Sequence, residues 1–424
     1  LGNVFNQERD LTEKESGLAI REELADIIKK KSQDLAEELV KIRRRIHRKP
    51  ELGFEEKASA QLICNQLDRL GVSYQSGVAS TGVVGVIEGS GPGPTVGLRA
   101  DMDAVPVQEE TNAPYASSIP GVMHACGHDA HVACLLGAIM LLTDLKDHFC
   151  GRVKFIFQPA EEIDLGAKAV IADGGLDDPR PDAFFALHCN PDIPAGFIGL
   201  RTGPVMAAID TIKIAVIGRG GHGAMPHKCT DAIVAASALV MNLQTVVSRI
   251  IDPLKPTVVS IGTFSAGRVG NIIASQADLT GTVRCVDPEV HKLLPQIIKN
   301  ICEKTADSFG AEVGFEYQPM VPPLVNSPEM VTKVSQSCQA LLRPDKVVDV
   351  PLSMGGDDFS FFLNEIPGAY FHLGVCSPDR TAAGLHNCLF DIDERCLPLG
   401  AAVMAHTALL TLGDSTQQYL ESQD

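Results

Sequence analysis

The sequence predicts an α/β fold: a mainly parallel sheet with helices on both faces, into which a smaller ferredoxin-like α+β domain is inserted. Three observations predict it. Short, nearly continuous apolar runs such as TVGLRA (95–100), VKFIF (153–157) and AFFAL (183–187) alternate with helical patterns, as buried parallel strands do. The texture changes at Gly203-Pro204, where strands begin to alternate apolar with polar residues, and changes back after Pro322-Pro323. At 424 residues the chain has room for two or three domains. The expected division is a catalytic domain of residues 1–204 and 321–424, with residues 205–320 inserted.

The elements follow in order. Residues 1–17 read as a charged tail. Leu24, Ile27, Ile28, Leu35, Leu39, Ile42 and Ile46 recur mostly every three or four residues, which predicts one or two amphipathic helices over 20–48. Arg43, Arg44 and Arg45 near the end are expected to cap that helix and pair with acidic neighbours. A second helix, 56–70, stops at Gly71. Strands at 81–88 and 95–100 flank a Gly/Pro turn, and an apolar helix covers 130–145. Strand 153–157, helix 167–173 and strand 183–187 complete the first half. In the inserted region, strand 211–217, helix 231–251, strands 257–264 and 278–286, helix 288–309 and strand 313–318 give the β-α-β-β-α-β order of the ferredoxin-like motif. Helix 328–342, a Gly-rich loop at 354–358, strand 369–375 and helix 394–412 then resume the α/β style.

Charge narrows the function. Thirty-six basic against 53 acidic residues leave a net charge of −17, which disfavours nucleic acid or an anionic membrane as partner. The longest apolar runs, such as 132–142, fall short of the ~20 residues that span a bilayer. Twelve cysteines without a CxxC pair or framework spacing point to a reducing, cytoplasmic setting. The polar N-terminus has no signal-peptide core. It begins at Leu1 rather than Met, so a removed leader is compatible with it.

The chemistry concentrates after strand-like runs. His124-Ala-Cys126-Gly-His128-Asp129-Ala-His131 opens an apolar helix, Glu161-Glu162 follows VKFIFQPA, and His188 follows AFFAL. His386 lies in AGLHNC, and Asp101 and Asp103 follow TVGLRA. Loops at the carboxyl ends of strands converge on one crevice in an open α/β sheet. Singly, such a His is usually a hydrogen-bonded structural residue, and such a Cys a small buried hydrophobe. Three His and one Cys within eight residues, joined by paired carboxylates and two further His, point instead to one or two divalent ions. Of the paired glutamates, one can ligate while its neighbour accepts a proton from the attacking water. His124, His131 and His227 lie close to these motifs and read as supports rather than ligands. His47, His148, His291, His372 and His406 have no supporting context.

At these residues the sequence resembles peptidase family M20, in its aminoacylase and amidohydrolase branch. The matching stretches include RRRIHRKPELGFEE (43–56), GLRADMDAVPVQE (97–109), MHACGHDAHVA (123–133), FQPAEE (157–162), GRGGHGAMPH (218–227), GNIIA (270–274), GTVR (281–284), MGGDDFSFF (354–362) and LHN (385–387). The resemblance implies that Cys126, His128, Glu162, His188 and His386 hold two divalent metal ions, with manganese, zinc, nickel and cobalt all open. It implies Glu161 as general base and Asp103 as a carboxylate orienting a ligating imidazole. It makes 205–320 a satellite domain that lids the site and forms a homodimer. His222 then helps stabilise the tetrahedral oxyanion, reaching the partner's active site, and Asn271 contacts substrate. Arg284 either binds the substrate carboxylate or forms a structural ion pair. Asp101 stands where other branches carry a metal-binding His, and its role is left open. No role passes to Asp357, where many relatives have Glu; Ile163-Asp164-Leu165-Gly166 replaces a common glycine run.

The implied function is metal-dependent hydrolysis of the amide bond of N-acyl amino acids. A dipeptidase or metallocarboxypeptidase with the same site is the alternative. A non-enzymatic binding protein is disfavoured because no ligand or base is missing.

Overall fold

A computed structural model describes residues 24–377 and 383–421, with side chains up to residue 413. The expected tail at 1–17 and the start of the 20–48 helix lie outside the described residues.

Residues 24–34 are helical, and α1 (Ala36–His47) follows. Helix α2 (Lys57–Leu70) ends at Gly71, whose φ of +64° is the left-handed cap that glycine adopts without strain. Strands β1 (Tyr74–Val78), β2 (Gly82–Glu88) and β3 (Thr95–Asp101) come next. Helix α3 (His128–Asp144) is buried along nearly its whole length, which explains why it is apolar on every side rather than along one stripe. Strand β4 (Arg152–Gln158), helix α4 (Gly166–Ala172), and strands β5 (Ala183–Pro194) and β6 (Ile198–Leu200) follow.

The intervening segment forms β7 (Ala208–Ile217), the short β8 (Gly221–His222), α5 (Ala232–Thr245), β9 (Thr257–Ala266), β10 (Ile272–Ile273), β11 (Gln276–Cys285), α6 (Pro288–Ser308) and β12 (Glu312–Val321). The chain closes with α7 (Pro328–Leu341), β13 (Val347–Asp349), β14 (Gly368–Cys376) and α8 (Leu397–Glu421).

The chain divides into two compact units. The first comprises residues up to Gly203, Asn326–Pro351 and those from Phe361 onward; the second comprises Pro204–Val325 and Leu352–Ser360. The first unit holds one eight-stranded sheet in the order β1-β2-β4-β3-β5-β14-β6-β13. Its centre, β4-β3-β5-β14, is parallel, and antiparallel steps occur at β1/β2, β2/β4 and β14/β6. β1, β6 and β13 were not legible beforehand: β1 is mostly exposed, and the other two have only three residues each. The core packs Leu98, Phe155, Phe185 and Phe371 from the sheet against Leu135, Ile139 and Leu142 of α3 and Met404 and Leu412 of α8. Complete burial of such a side chain contributes about 1.5–3 kcal/mol.

The second unit pairs β9-β11-β7-β12 in a wholly antiparallel sheet. Ala235, Ala236, Leu239 and Leu243 of α5 and Leu294, Ile298 and Cys302 of α6 share one core with Ile212, Ile214 and Val216 of β7.

Among the described residues two helical stretches, Ala232–Ile250 and Glu394–Gly413, are long and apolar enough to cross a membrane. Counting unbroken apolar runs missed them, because isolated small or polar residues interrupt each. The second is a core helix, 78% buried in the fold; the first is 28% buried and leaves one face outward.

Candidate metal centre

The site is built in the first unit, around the carboxyl ends of β3 and β4, the strand β5 and the start of α3. Cys126 and His128 turn toward the same point because Gly127 between them adopts φ +87°, a conformation costly to any residue with a side chain. A Cβ on Gly127 would also lie 2.9 Å from the Cβ and Sγ of Cys189. Beyond β4, Ala160 takes φ +53° and turns Glu161 and Glu162 out of the strand. Non-glycine residues rarely adopt this region, and the surroundings must hold them there. The hold is the buried Glu56, whose Oε1 accepts from Ala160 N at 2.8 Å and whose Oε2 accepts from Thr81 Oγ1 at 2.5 Å. His386 has φ +60°, and its backbone N–H donates to the Ala125 carbonyl at 2.8 Å.

Glu161, Glu162, Cys126, His128, His188 and His386 are all brought together. Ligand-type atoms lie within 4.8 Å of one another in three overlapping trios: Cys126/His128/His188, Cys126/Glu162/His386 and His128/Glu161/Glu162. His188 was expected to follow its strand. Instead β5 continues through it to Pro194.

Hydrogen bonds assign the imidazole tautomers. His128 Nδ1 lies 2.9 Å from the Asp103 carbonyl, and His188 Nδ1 lies 2.8 Å from the Cys189 carbonyl. A carbonyl only accepts, so in each neutral ring Nδ1 carries the proton and Nε2 is bare. The bare His188 Nε2 faces Cys126 Sγ at 3.5 Å. His128 Nε2 is buried with no hydrogen-bond partner, 3.7 Å from Glu162 Oε1 and 3.9 Å from Glu161 Oε2. His386 Nε2 lies 3.2 Å from Glu162 Oε1. Asp103 braces the cluster twice: its carbonyl takes His128, and its Oδ2 accepts from Glu162 N at 3.0 Å.

Burial, reinforced by Glu162 and Glu161, pushes the Cys126 thiol well up, so its thiolate form calls for a cation. Burial would lower His128, but the Asp101 and Asp103 carboxylates outweigh it and raise that imidazole to about 10. A buried orphan nitrogen, a thiol that needs positive charge to ionise, and several carboxylates around them fit divalent cations. Cys126, His128, Glu162, His188 and His386 are the residues that could hold them.

The other expected site residues lie in the second unit. His222 is exposed on β8, and its Nδ1 accepts from Ala224 N at 3.1 Å. The Asn271 carbonyl accepts from Gly223 N at 2.9 Å. Arg284 on β11 donates from Nη1 to the Met354 carbonyl at 2.8 Å.

Sequence reasoning missed a buried ion network around Asp129. Arg43 is wholly buried; it is not a surface cap. Its Nε donates to Asp129 Oδ2 at 2.6 Å, and it pairs with Asp391 at 3.1 Å and Glu394 at 3.3 Å. His47, which had no evident context, bonds the same Asp129 oxygen at 2.7 Å. The available signal was spacing: Leu39, Arg43 and His47 form one i, i+4 row on the buried face of α1. His124 is buried, and burial lowers it to about 3.

Comparison with known proteins identifies the family. The family model for peptidase family M20/M25/M40 matches residues 97–410. The chain belongs to that family. Among M20 relatives it is 37% identical to N-acetyl-L-cysteine deacetylase of Bacillus subtilis, over 91% of this chain and 90% of that one. It is likewise 37% identical to thermostable carboxypeptidase 1 of Saccharolobus solfataricus, over 91% and 98%. The solved structure of the Bacillus subtilis YXEP protein, described as a dinuclear metal binding peptidase from the M20 family, superposes with a TM-score of 0.79 at 33% identity. That likeness covers 90% of this chain and 99% of the other.

Proposed function

We propose that this chain is a metal-dependent amidohydrolase that cleaves the amide bond of N-acyl amino acids. The observation that carries the reading is the gathering of Cys126, His128, Glu162, His188 and His386 beside Glu161, with Nδ1 of His128 and of His188 bonded to backbone carbonyls so that Nε2 is the nitrogen each ring can offer a cation. Two divalent ions held by Cys126, His128, Glu162, His188 and His386 supply Lewis acidity toward the substrate carbonyl and a more acidic water.

The protein's own groups do the rest. Glu161 accepts the proton of the attacking water and returns it to the leaving amine. Asp103 keeps His128 in its ligating tautomer. His222 supplies the oxyanion donor, in the partner's active site of a homodimer. Because its Nδ1 accepts a backbone N–H, its ring proton sits on Nε2, the form that can donate. Asn271 contacts substrate. Arg284 favours the substrate carboxylate by its charge, although its bond to the Met354 carbonyl also supports a structural role.

The region expected at 205–320 acts as the satellite domain and carries the dimer contact; the compact unit formed by Pro204–Val325 and Leu352–Ser360 supports this reading. Its support is the outward face of α5, with Met241 70% and Val234 50% exposed, and the position of β9 at the sheet edge. Cysteine usage supports a cytoplasmic setting.

The test is Glu161→Gln. It is expected to keep wild-type metal content and lose about 10²–10⁴-fold in kcat; near wild-type turnover would refute the base assignment. A turnover screen of N-acetyl, N-benzoyl and indole-acyl amino acids against dipeptides, with each metal restored to stripped protein, separates this reading from the carboxypeptidase one. The likeness to the Saccharolobus enzyme keeps that second reading in view.

A further inference from the structure

The HACGHDAH segment carries a third imidazole, His131, which the proposed reaction does not use. It is wholly buried, as is Asp101. Asp101, His128 and His131 bring ligand-type atoms within 4.8 Å of one another, so the trio resembles a metal site. Its hydrogen bonds assign it another task.

His131 Nε2 lies 2.8 Å from Cys189 N. A backbone N–H only donates, so this nitrogen is the acceptor and bears no proton. His131 Nδ1, 2.5 Å from Asp101 Oδ1, is therefore the donor. Both ring nitrogens are taken, and neither is left for a cation. Asp101 is braced from its other oxygen: Oδ2 lies 2.5 Å from Arg99 Nη1, and Arg99 Nε donates to Gln158 Oε1 at 2.8 Å.

The chain of contacts continues past His131. β3 pairs with β5 only as far as Arg99↔Ala186, so the edge of β5 beyond that point has lost its strand neighbour. Backbone groups at a buried edge need partners from elsewhere. At Cys189 the partners are two imidazoles: its N–H goes to His131, and its carbonyl accepts from His188 Nδ1 at 2.8 Å. That second bond is the one that leaves His188 Nε2 bare and facing Cys126 Sγ. The backbone of one residue, Cys189, thus links His131 to the tautomer and orientation of His188.

We propose that His131 is a positioning residue: held by Asp101 and Arg99, it fixes the backbone at Cys189 and through it the ring of His188. The assignment explains what an aspartate does at position 101, where other branches of the family carry a ligating His. Its consequence for cation binding rests on the hydrolase reading; the hydrogen-bond line itself does not.

Two substitutions separate the two bonds of His131. His131→Asn keeps an N–H near the place of Nδ1 and loses the acceptor for Cys189. His131→Gln sets an amide oxygen where Nε2 stood. Zinc or manganese titrated into chelator-stripped protein should bind the Asn variant about 10–100-fold more weakly, the usual effect of losing an outer partner of a ligating His, with two ions still bound at saturation. The Gln variant should recover most of the loss. Nitrogen-15 histidine spectra of metal-free wild type should show His131 and His188 as Nδ1–H tautomers, with His188 becoming a mixture in His131→Asn.

Loss of one ion from both variants would make His131 a ligand and overturn the proposal. Unchanged affinity in both would overturn it as well, as would an Nε2–H tautomer for either ring in wild type. Should His131→Asn fail to fold, Asp101→Asn decides: it is expected to perturb the His131 resonances and weaken binding by less than about 10-fold, and unperturbed resonances would refute the brace. The spectra need no cation. A wild type that bound no metal would sink the hydrolase reading while still deciding the role of His131.

Discussion

His128 and Asp129 are consecutive residues at the start of α3, yet they enter two clusters of opposite character. Around Asp129, every carboxylate meets a basic partner. Arg43 meets Asp129, Asp391 and Glu394; His47 sits between Asp129 and Glu109; Tyr115 donates to Asp391 at 2.8 Å. Around His128, negative charge is in excess. Glu161, Glu162, Asp101 and Asp103 crowd a nitrogen that has no hydrogen-bond partner. Burial raises the desolvation cost of both clusters. The first pairs its carboxylates with basic groups of the protein, while the second leaves an imidazole nitrogen without a partner among its carboxylates.

The contrast can be broken in four ways. The largest effect belongs to the unbalanced side. Glu162→Gln should cut activity about a thousandfold or more by removing a cation donor, while shifting the stability of chelated protein by no more than about 1 kcal/mol; kinetics and urea melts measure the two. On the balanced side, Asp129→Ala should do the reverse. It leaves Arg43 buried without its nearest partner and should lose about 3–5 kcal/mol in the same melts, with both ions still bound.

Chelation comes third. With free metal 100–1,000 times above Kd, its removal should strip about 3–4 kcal/mol from wild type. Thermal melts should find the same increment in Asp129→Ala and a smaller one in Glu162→Gln; equal increments in all three would erase the distinction.

The smallest effect is pH-dependent. Burial opposes ionisation of Glu109, but hydrogen bonds from His47, Thr111 and the Ser117 backbone hold it down at about 2. In that state the folded protein binds fewer protons than the unfolded chain, so Glu109 stabilises the fold above its unfolded value of 4.5. That contribution disappears as pH falls from about 4.5 to about 2. Glu109→Gln should flatten this limb of the acid unfolding curve.

Much of the site was legible before any coordinates. The candidate donors occupy short motifs at strand and helix ends, where spacing and residue type carry the signal, and their ligand-type atoms lie in overlapping trios. Less legible was anything that depends on a partner far along the chain. Arg43 looked like one of three surface arginines, because nothing local distinguishes it from Arg44 or Arg45. Its neighbours Asp391 and Glu394 lie more than 340 positions away. Asp101 had no assigned role and His131 read only as a support near the site, and the Cys189 backbone that joins them to His188 leaves no mark in a one-dimensional pattern.

Residue types and their order were enough to indicate the alternation of strands and helices, the family, and a candidate set of side chains for cations, because each is written in periodicities and motifs a few residues long. Which nitrogen of each imidazole stays bare, which carboxylate is already braced, and which buried charge is matched were settled by folding alone. Those properties belong to hydrogen bonds between segments that meet only when the sheet and α3 pack, and a local pattern cannot encode a partner it does not contain.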